Sequence, residues 1–392
     1  MIWPTKRLDA VAELCLGKML DQNKNKGEAR KYLANINVRW GHFDLADLRE
    51  MRFQEKELQR YGLKSGDIVM CEGGEPGRCA LWHDQIPGMM FQKALHRIRS
   101  RKDVDNQFLF YALFHLGKTS AMESLFTGAT IKHLPGEQLA KLEVPVPPLP
   151  TQRRIASILG AYDDLIEVNR RRIKVLEEMA RGLFEEWFVR FRFPGHENVP
   201  ILDTPNGPLP EGWQHATVGD FLTLQRGFDL PTSQRQQGAV PVMSASGHHG
   251  THTEAKVSGP GIVTGRSGTI GQVHLSMEDF WPLNTALYVK EYKKAGPAFA
   301  KLLLENLDLA KHAAGAAVPT LNRNHIHCLP RAMPPNDLLD RFERIAMTNL
   351  LAAHNLRKQS ETLTASRDLL LPRLISGQLS VEAAEQMNEA AE

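Results

Sequence analysis

The sequence predicts an α+β protein: two tandem globular α+β domains separated by two long antiparallel coiled-coil helices, related by a pseudo-two-fold internal repeat. Three observations predict it. The chain resembles itself at long range, each copy carries short strand-like runs broken by Gly, Pro and Asn, and each copy is followed by one long heptad-patterned stretch launched from a proline cluster.

The repeat comes first because it fixes the order of everything else. WPTKRLDAVAELCLG, from Trp3 to Gly17, aligns with WQHATVGDFLTLQRG, from Trp213 to Gly227, 210 positions later. DIVMCEGGEPG (67–77) aligns with GIVTGRSGTIG (261–271), matching Ile68 with Ile262, Gly74 with Gly268 and Gly77 with Gly271. Pro147 and Pro148 then pair with Pro334 and Pro335, 187 positions on. Within each copy DIVMC, ALHRIR, GIVTG and TALYVK read as strands, and NQFLFYALFHL and PAFAKLLLENL as helices. The expected organisation is a first domain over residues 1–148, a central helix over 149–195, a second domain over 196–333, a distal helix over 334–380 and an acidic flexible tail over 381–392.

The proline clusters VPVPPLP and AMPP end the strand pattern and start helices, since proline disfavours helix in the residue before it and is preorganised for a first turn. Apolar or small positions then run Ile158, Tyr162, Leu165, Asn169, Ile173, Leu176, Ala180, Leu183 and Trp187 in steps of three and four, a coiled-coil seam with one stutter. Its diluted copy runs Phe342, Ile345, Asn349, Ala352, Leu356, Ser360, Leu363, Arg367, Leu370 and Leu374. About 40 residues at about 1.5 Å each span roughly 60 Å, more than one domain needs. Amphipathic helices usually cover a domain core. Two that repeat are expected to bury their seams against each other as a rod with a globe at each end. Asn169, polar within the seam, is the candidate for fixing the register. Arg170, Arg171 and Arg172 suit a solvated face, or contact with phosphate or an acidic partner.

Composition and motifs exclude much. No apolar run reaches the roughly 18 residues of a membrane span, and the first residues lack a signal-peptide pattern, so a cytoplasmic protein is expected. Cys15, Cys71, Cys79 and Cys328 form no CxxC pair, which argues against a zinc ribbon or disulfide framework. GRSGTIG is neither a dinucleotide fingerprint nor a P-loop, and the aligned EGGEPG makes it a shared structural loop. His248, His249 and His252, and NHIHC with His325 and His327 on one face of a strand, are better housed in polar loops than around a metal. No adenine-methyltransferase motif, no helicase motif and no nuclease carboxylate cluster with a lysine is recognisable, so no catalytic residue is assigned.

PLPTQRRIASILGAYDDLIEVNRRRIKVLEEMARGLFEEWF (148–188) resembles the central conserved region of the specificity subunits of Type I restriction-modification enzymes, and NLRKQSETLTASRDLLLPRLISGQL (355–379) resembles their distal conserved region. EGGEPGR and FQKALHRIR are similar to one type of target recognition domain in that family. The resemblance implies two recognition domains, each reading one half of a bipartite, asymmetric DNA site, and two helices that set the gap. It also implies docking of two adenine-methyltransferase subunits and of restriction/translocase subunits. The chain itself would be non-catalytic and hold no cofactor, with S-adenosylmethionine on the methyltransferase partner and ATP and Mg²⁺ on the restriction partner. On this reading the partner and coiled-coil residues are Ile158, Leu165, Asn169, Ile173, Leu176, Leu183, Trp187, Ile345, Leu356, Leu363, Leu370 and Leu374.

Reading DNA requires Arg, Lys, Asn or Gln at base edges and donors to phosphate. In the first copy the candidates are Lys18, Gln22, Lys24, Lys26, Arg30, Arg39 and Trp40. In the second they are Arg226, Gln234, Arg235, Ser244, Arg266, Ser267, Thr269, Arg323 and Asn324. The competing reading is a coiled-coil scaffold that bridges two protein partners and never touches DNA. Donor-rich loops at equivalent ends of both copies favour the first reading, since a scaffold has no need of them.

Overall fold

The sequence repeat is a repeat of topology. The computed structural model describes residues 3–21, 25–315 and 319–389. The chain divides into two units, Met1–Glu167 with Ser360–Glu392, and Val168–Gln359, so each helical segment expected at 149–195 and 334–380 is divided between them.

The first unit is built on strands β1 (Ala12–Leu16), β2 (Ile68–Cys71), β3 (Cys79–Leu81) and β4 (Leu95–Ser100), an antiparallel sheet in the order β1-β4-β2-β3. The second has β5 (Leu222–Arg226), β6 (Gly261–Gly265), β7 (Val273–Ser276) and β8 (Ala286–Tyr292), in the order β5-β8-β6-β7. A three-stranded sheet repeats as well, Glu28–Leu33 pairing antiparallel with Arg49–Phe53 and parallel with Met90–Phe91, as Val240–Ser244 pairs with Gly247–His252 and Trp281–Pro282. Ile68 to Cys71 are all buried, which is why an unbroken apolar run there forms a strand covered on both faces.

Helix α1 (Asn106–Lys118) covers the first sheet. Asp105 starts it by accepting the Phe108 N–H at 2.9 Å, and Phe108 to Phe114 are buried. Helix α3 (Pro297–Asn306) follows in the second unit, after the long helix α2 (Leu149–Phe184) and its π-helical extension Glu185–Val189. The other long helix is α4 (Asn336–Ile375). As expected, both long helices begin just past the proline clusters, after strands Glu143–Pro145 and Pro330–Met333.

In the first unit Ile155, Ile158 and Leu159 of α2 and Leu371, Leu374 and Ile375 of α4 share one core with α1. In the second, Ala180 and Phe184 of α2, Trp187 of its extension and Leu339, Phe342, Ala346 and Leu350 of α4 share a core with α3. The segments are antiparallel within each unit: Asp163 meets Arg367 in the first, while Asn169 meets Gln359 and Trp187 meets Phe342 in the second. The sequence therefore placed the helices correctly, but it misread part of the seam.

Leu165 and Ile345, expected in the seam, point outward; Leu165 is 52% exposed where Ile166 is 9%. A continuous line of buried and half-buried positions runs along α2 and its extension through Ile155, Leu159, Tyr162, Ile166, Asn169, Ile173, Leu176, Ala180, Leu183 and Trp187, alternating steps of four and three without any stutter. The same positions 187 residues later, from Phe342 and Ala346 to Leu370 and Leu374, are the inward ones of α4. The error has a simple origin. Ile158 is buried as well, in the domain core, and LI at 165–166 offers two apolar side chains where periodicity alone allows either.

The segment expected as a flexible tail instead carries helix α5 (Val381–Glu389), with Val381 and Ala384 buried in the first core. Arg154 of α2 pairs with both Glu382 and Glu385, so acidity here reflects an ion-paired face.

Candidate nucleic-acid interface

The glycine loop after β2 and after β6 is the clearest local signature. Gly74 and Gly268 have φ of 84° and 81°, and Gly77 and Gly271 have 91° and 100°, a region that costs other residues about 1–2 kcal/mol. One backbone turn is thus specified twice. Around it the second unit forms a groove of about 490 Å³ from four separate stretches, bringing together Arg235, Ser246, His249, Ser267, Thr269 and Asn284.

Of the expected readers in this unit, Arg235, Ser244, Ser267 and Thr269 line the groove. Arg235 donates to the His249 carbonyl at 3.0 Å, which ties its loop to strand Gly247–His252. Arg226 and Arg266 lie beside the groove. Arg226 pairs with Asp229 at 3.3 Å, Asp229 accepts from the Asn284 amide, and Arg266 donates to the Asn284 carbonyl at 3.3 Å. Gln234 is exposed on the turn Thr232–Gln234, and Arg323 and Asn324 are exposed at the start of the short helix Arg323–His327 without lining the groove. Ser244 lines it as part of the floor: its buried hydroxyl donates to the Gly247 carbonyl at 3.0 Å, closing the turn between two strands, and so is not offered as a reader.

NHIHC is likewise a helix where a strand was expected. His327 accepts the Leu224 N–H on Nε2 at 2.9 Å and packs the helix onto β5, so it faces the fold. Burial, and after it Lys293 and Arg323, hold its imidazole below the ordinary range. Among the described residues no group of three or more His, Cys, Asp or Glu is placed to hold a metal.

In the first unit Lys18 is the main correction. The residue is 3% exposed, and its ammonium donates to the Arg52 carbonyl at 2.8 Å and to Glu57 at 2.6 Å and lies over the Phe53 ring. A buried, fully engaged lysine holds the fold together and has no free donor for DNA. The repeat gives the reason, because Lys18 occupies the place of Phe228: both backbone N–H groups donate to the parallel neighbour strand, at Phe91 and Pro282. Trp40 also turns inward, edge-on to Phe114 at 5.3 Å with its N–H given to Glu75. Lys26 and Arg39 are exposed, Arg39 pairing loosely with Asp44 at 3.4 Å, and half-buried Arg30 pairs with Glu28. Gln22 and Lys24 lie outside the described residues.

Superposing the repeats by register reveals what sequence reading missed. Gly17 and Gly227 donate to Leu95 and Ala286, so Lys93 stands where Asn284 does, Met19 where Asp229 does and Leu16 where Arg226 does. Glu72 and Arg266 also correspond, each donating its N–H to the matching turn, at Ala94 and Thr285. Leu16, Met19, Glu72 and Lys93 therefore face Arg226, Asp229, Arg266 and Asn284 position for position. The backbone edge is the same; its chemistry is exchanged. Asp229 and Asn284 were missed because they lie 55 residues apart and only the sheet register joins them.

Two α+β units of the same topology, each holding segments of both long helices in its core and carrying different chemistry on equivalent edges, define a two-copy scaffold. Residues 3–178 match the Type I restriction modification DNA specificity domain. The MjaIX specificity subunit of Methanocaldococcus jannaschii is 23% identical over 85% of this chain and 83% of its own length. The MjaVIII specificity subunit of the same organism is 29% identical over 41% of this chain and 36% of its length. The crystal structure of a Type I restriction-modification S subunit from M. genitalium shares the fold, at a TM-score of 0.58 and 18% identity over 95% of this chain and 96% of that one. Residues 3–178 thus match the specificity domain of Type I restriction-modification systems, and over most of its length the chain is similar to their specificity subunits. Among the described residues no helix is long and apolar enough to cross a membrane.

Proposed function

We propose that this chain reads a bipartite, asymmetric DNA site in the cytoplasm, one half with each domain. The observation that carries this is the exchange of chemistry on a common backbone edge: Arg226, Asp229, Arg266 and Asn284 in one unit, Leu16, Met19, Glu72 and Lys93 in the other. Two copies of one scaffold with different side chains at the same place are what two unlike half-sites require. The proposed readers are Arg226, Gln234, Arg235, Arg266, Ser267, Thr269, Arg323 and Asn324 in the second domain, and Lys26, Arg30 and Arg39 in the first.

The long helices set the gap and carry the partners: two adenine-methyltransferase subunits, which bring S-adenosylmethionine, and restriction/translocase subunits, which bring ATP and Mg²⁺. An apolar hollow of about 730 Å³ between α2 and α4 within the second unit, lined by Val175, Leu176, Ala352 and Leu356 and rimmed by Arg171, supports partner docking. The test is methylation mapping of host DNA with and without this gene, combined with exchange of residues 196–333 for those of a relative. The expected result is one gene-dependent bipartite motif of which only one half changes on exchange. Absence of any gene-dependent motif would favour the scaffold reading.

A further inference from the structure

We infer that the first domain reads its half-site partly through thymine methyl groups, with Leu16, Met19 and Leu20 as the contact. This rests on the DNA-reading proposal above. The three residues are 37%, 51% and 60% exposed, an unusual grouping for large apolar residues on one short stretch at the end of strand β1. No core explains them. In the second unit the register-equivalent positions are occupied by the Arg226–Asp229 pair and by Leu230, which is buried. The apolar group therefore stands on the very edge that in the sister domain borders the polar groove.

Its neighbour has the chemistry of a phosphate anchor. Lys93 is exposed and its N–H donates to the Lys18 carbonyl, which places a cation next to Met19 in sequence register. An apolar tip flanked by a lysine, on an edge that lacks the arginine of its twin, fits the major groove at A·T pairs, where the C5-methyl of thymine is the one apolar feature to be read. Guanine recognition by a bidentate arginine suits the second domain instead, through Arg226 or Arg266.

The experiment uses the assembled methylase and a duplex carrying its mapped site, with each thymine of the first domain's half-site replaced in turn by deoxyuridine, which lacks only the methyl. The expected result is a loss of affinity of about fourfold per contacted methyl, the size that burial of one CH₂-sized group predicts. This loss should vanish in a Met19→Ala, Leu20→Ala double variant whose Tm is unchanged, while the second half-site responds as before. A first half-site without thymine, or uracil tolerated at every position, overturns the inference. Failure to bind any bipartite site overturns the DNA-reading proposal itself.

Discussion

Arg367 of α4 is buried against Asp163 of α2 in the first unit, and Asp163 also accepts the Tyr111 hydroxyl of α1 at 2.6 Å. One carboxylate thus joins both long helices to the recognition domain. Arg367 sits at the seam position equivalent to Ala180, and its guanidinium also bonds Asp368 and lies over Phe114. Burial lowers, and the flanking carboxylates of Asp163 and Asp368 raise, its proton affinity, with a net rise; it remains charged and must stay paired. Replacing one partner, as in Asp163→Asn or Arg367→Met, should cost about 2–3 kcal/mol, somewhat under the loss from a fully buried pair because Asp163 is 28% exposed. Urea unfolding of the singles and of the double variant checks this: additive losses would mean that no such coupling exists.

The corrected seam is tested by neighbours. Ile166→Ala should destabilise the chain by about 2–4 kcal/mol, whereas Leu165→Ala should change it by less than about 0.5 kcal/mol. Equal effects in thermal unfolding would restore the register with the stutter.

Lys18 and Arg266 should separate folding from DNA reading. Lys18→Met is expected to lower Tm while leaving the salt dependence of DNA binding by the assembled methylase intact, since a buried cation releases no counterion. Arg266→Ala, and Arg39→Ala in the first domain, are expected to weaken binding at unchanged Tm. If Arg266→Ala binds and methylates as the parent does, Arg266 leaves the list of readers.

Acid should loosen the fold through buried imidazoles. His96, His274 and His327 are held below the ordinary histidine value of about 6.5, each chiefly by burial. Below that value the unfolded chain takes up protons that the folded one refuses, so stability is complete above about pH 6.5 and falls as pH drops through it. Tm measured between pH 7.5 and 5.5 should decline, less steeply in His327→Gln, whose side-chain carbonyl can still accept the Leu224 N–H. A flat profile would contradict the assignment of His327 as a neutral acceptor.

The gap in the recognised site is proposed to follow helix length. Lengthening α2 and α4 by matched helical turns should widen the gap in the methylated motif and leave both half-sites as they were. Half-sites that changed while the gap stayed fixed would remove the helices from this role.

Repetition in the sequence determined most of this protein: two α+β domains, two long helices and the glycine loops could all be read from aligned residues, because strand, turn and helix preferences act locally. Which of two adjacent apolar residues faces inward, as at Leu165 and Ile166, depends on what lies opposite. Periodicity cannot see that. Tertiary structure alone decided that Lys18 is buried where its counterpart is Phe228, that the acidic tail is a packed helix, and that Asp229 meets Asn284 across 55 residues. Each is a contact between distant segments, and only the sheet and helix packing bring those segments within reach.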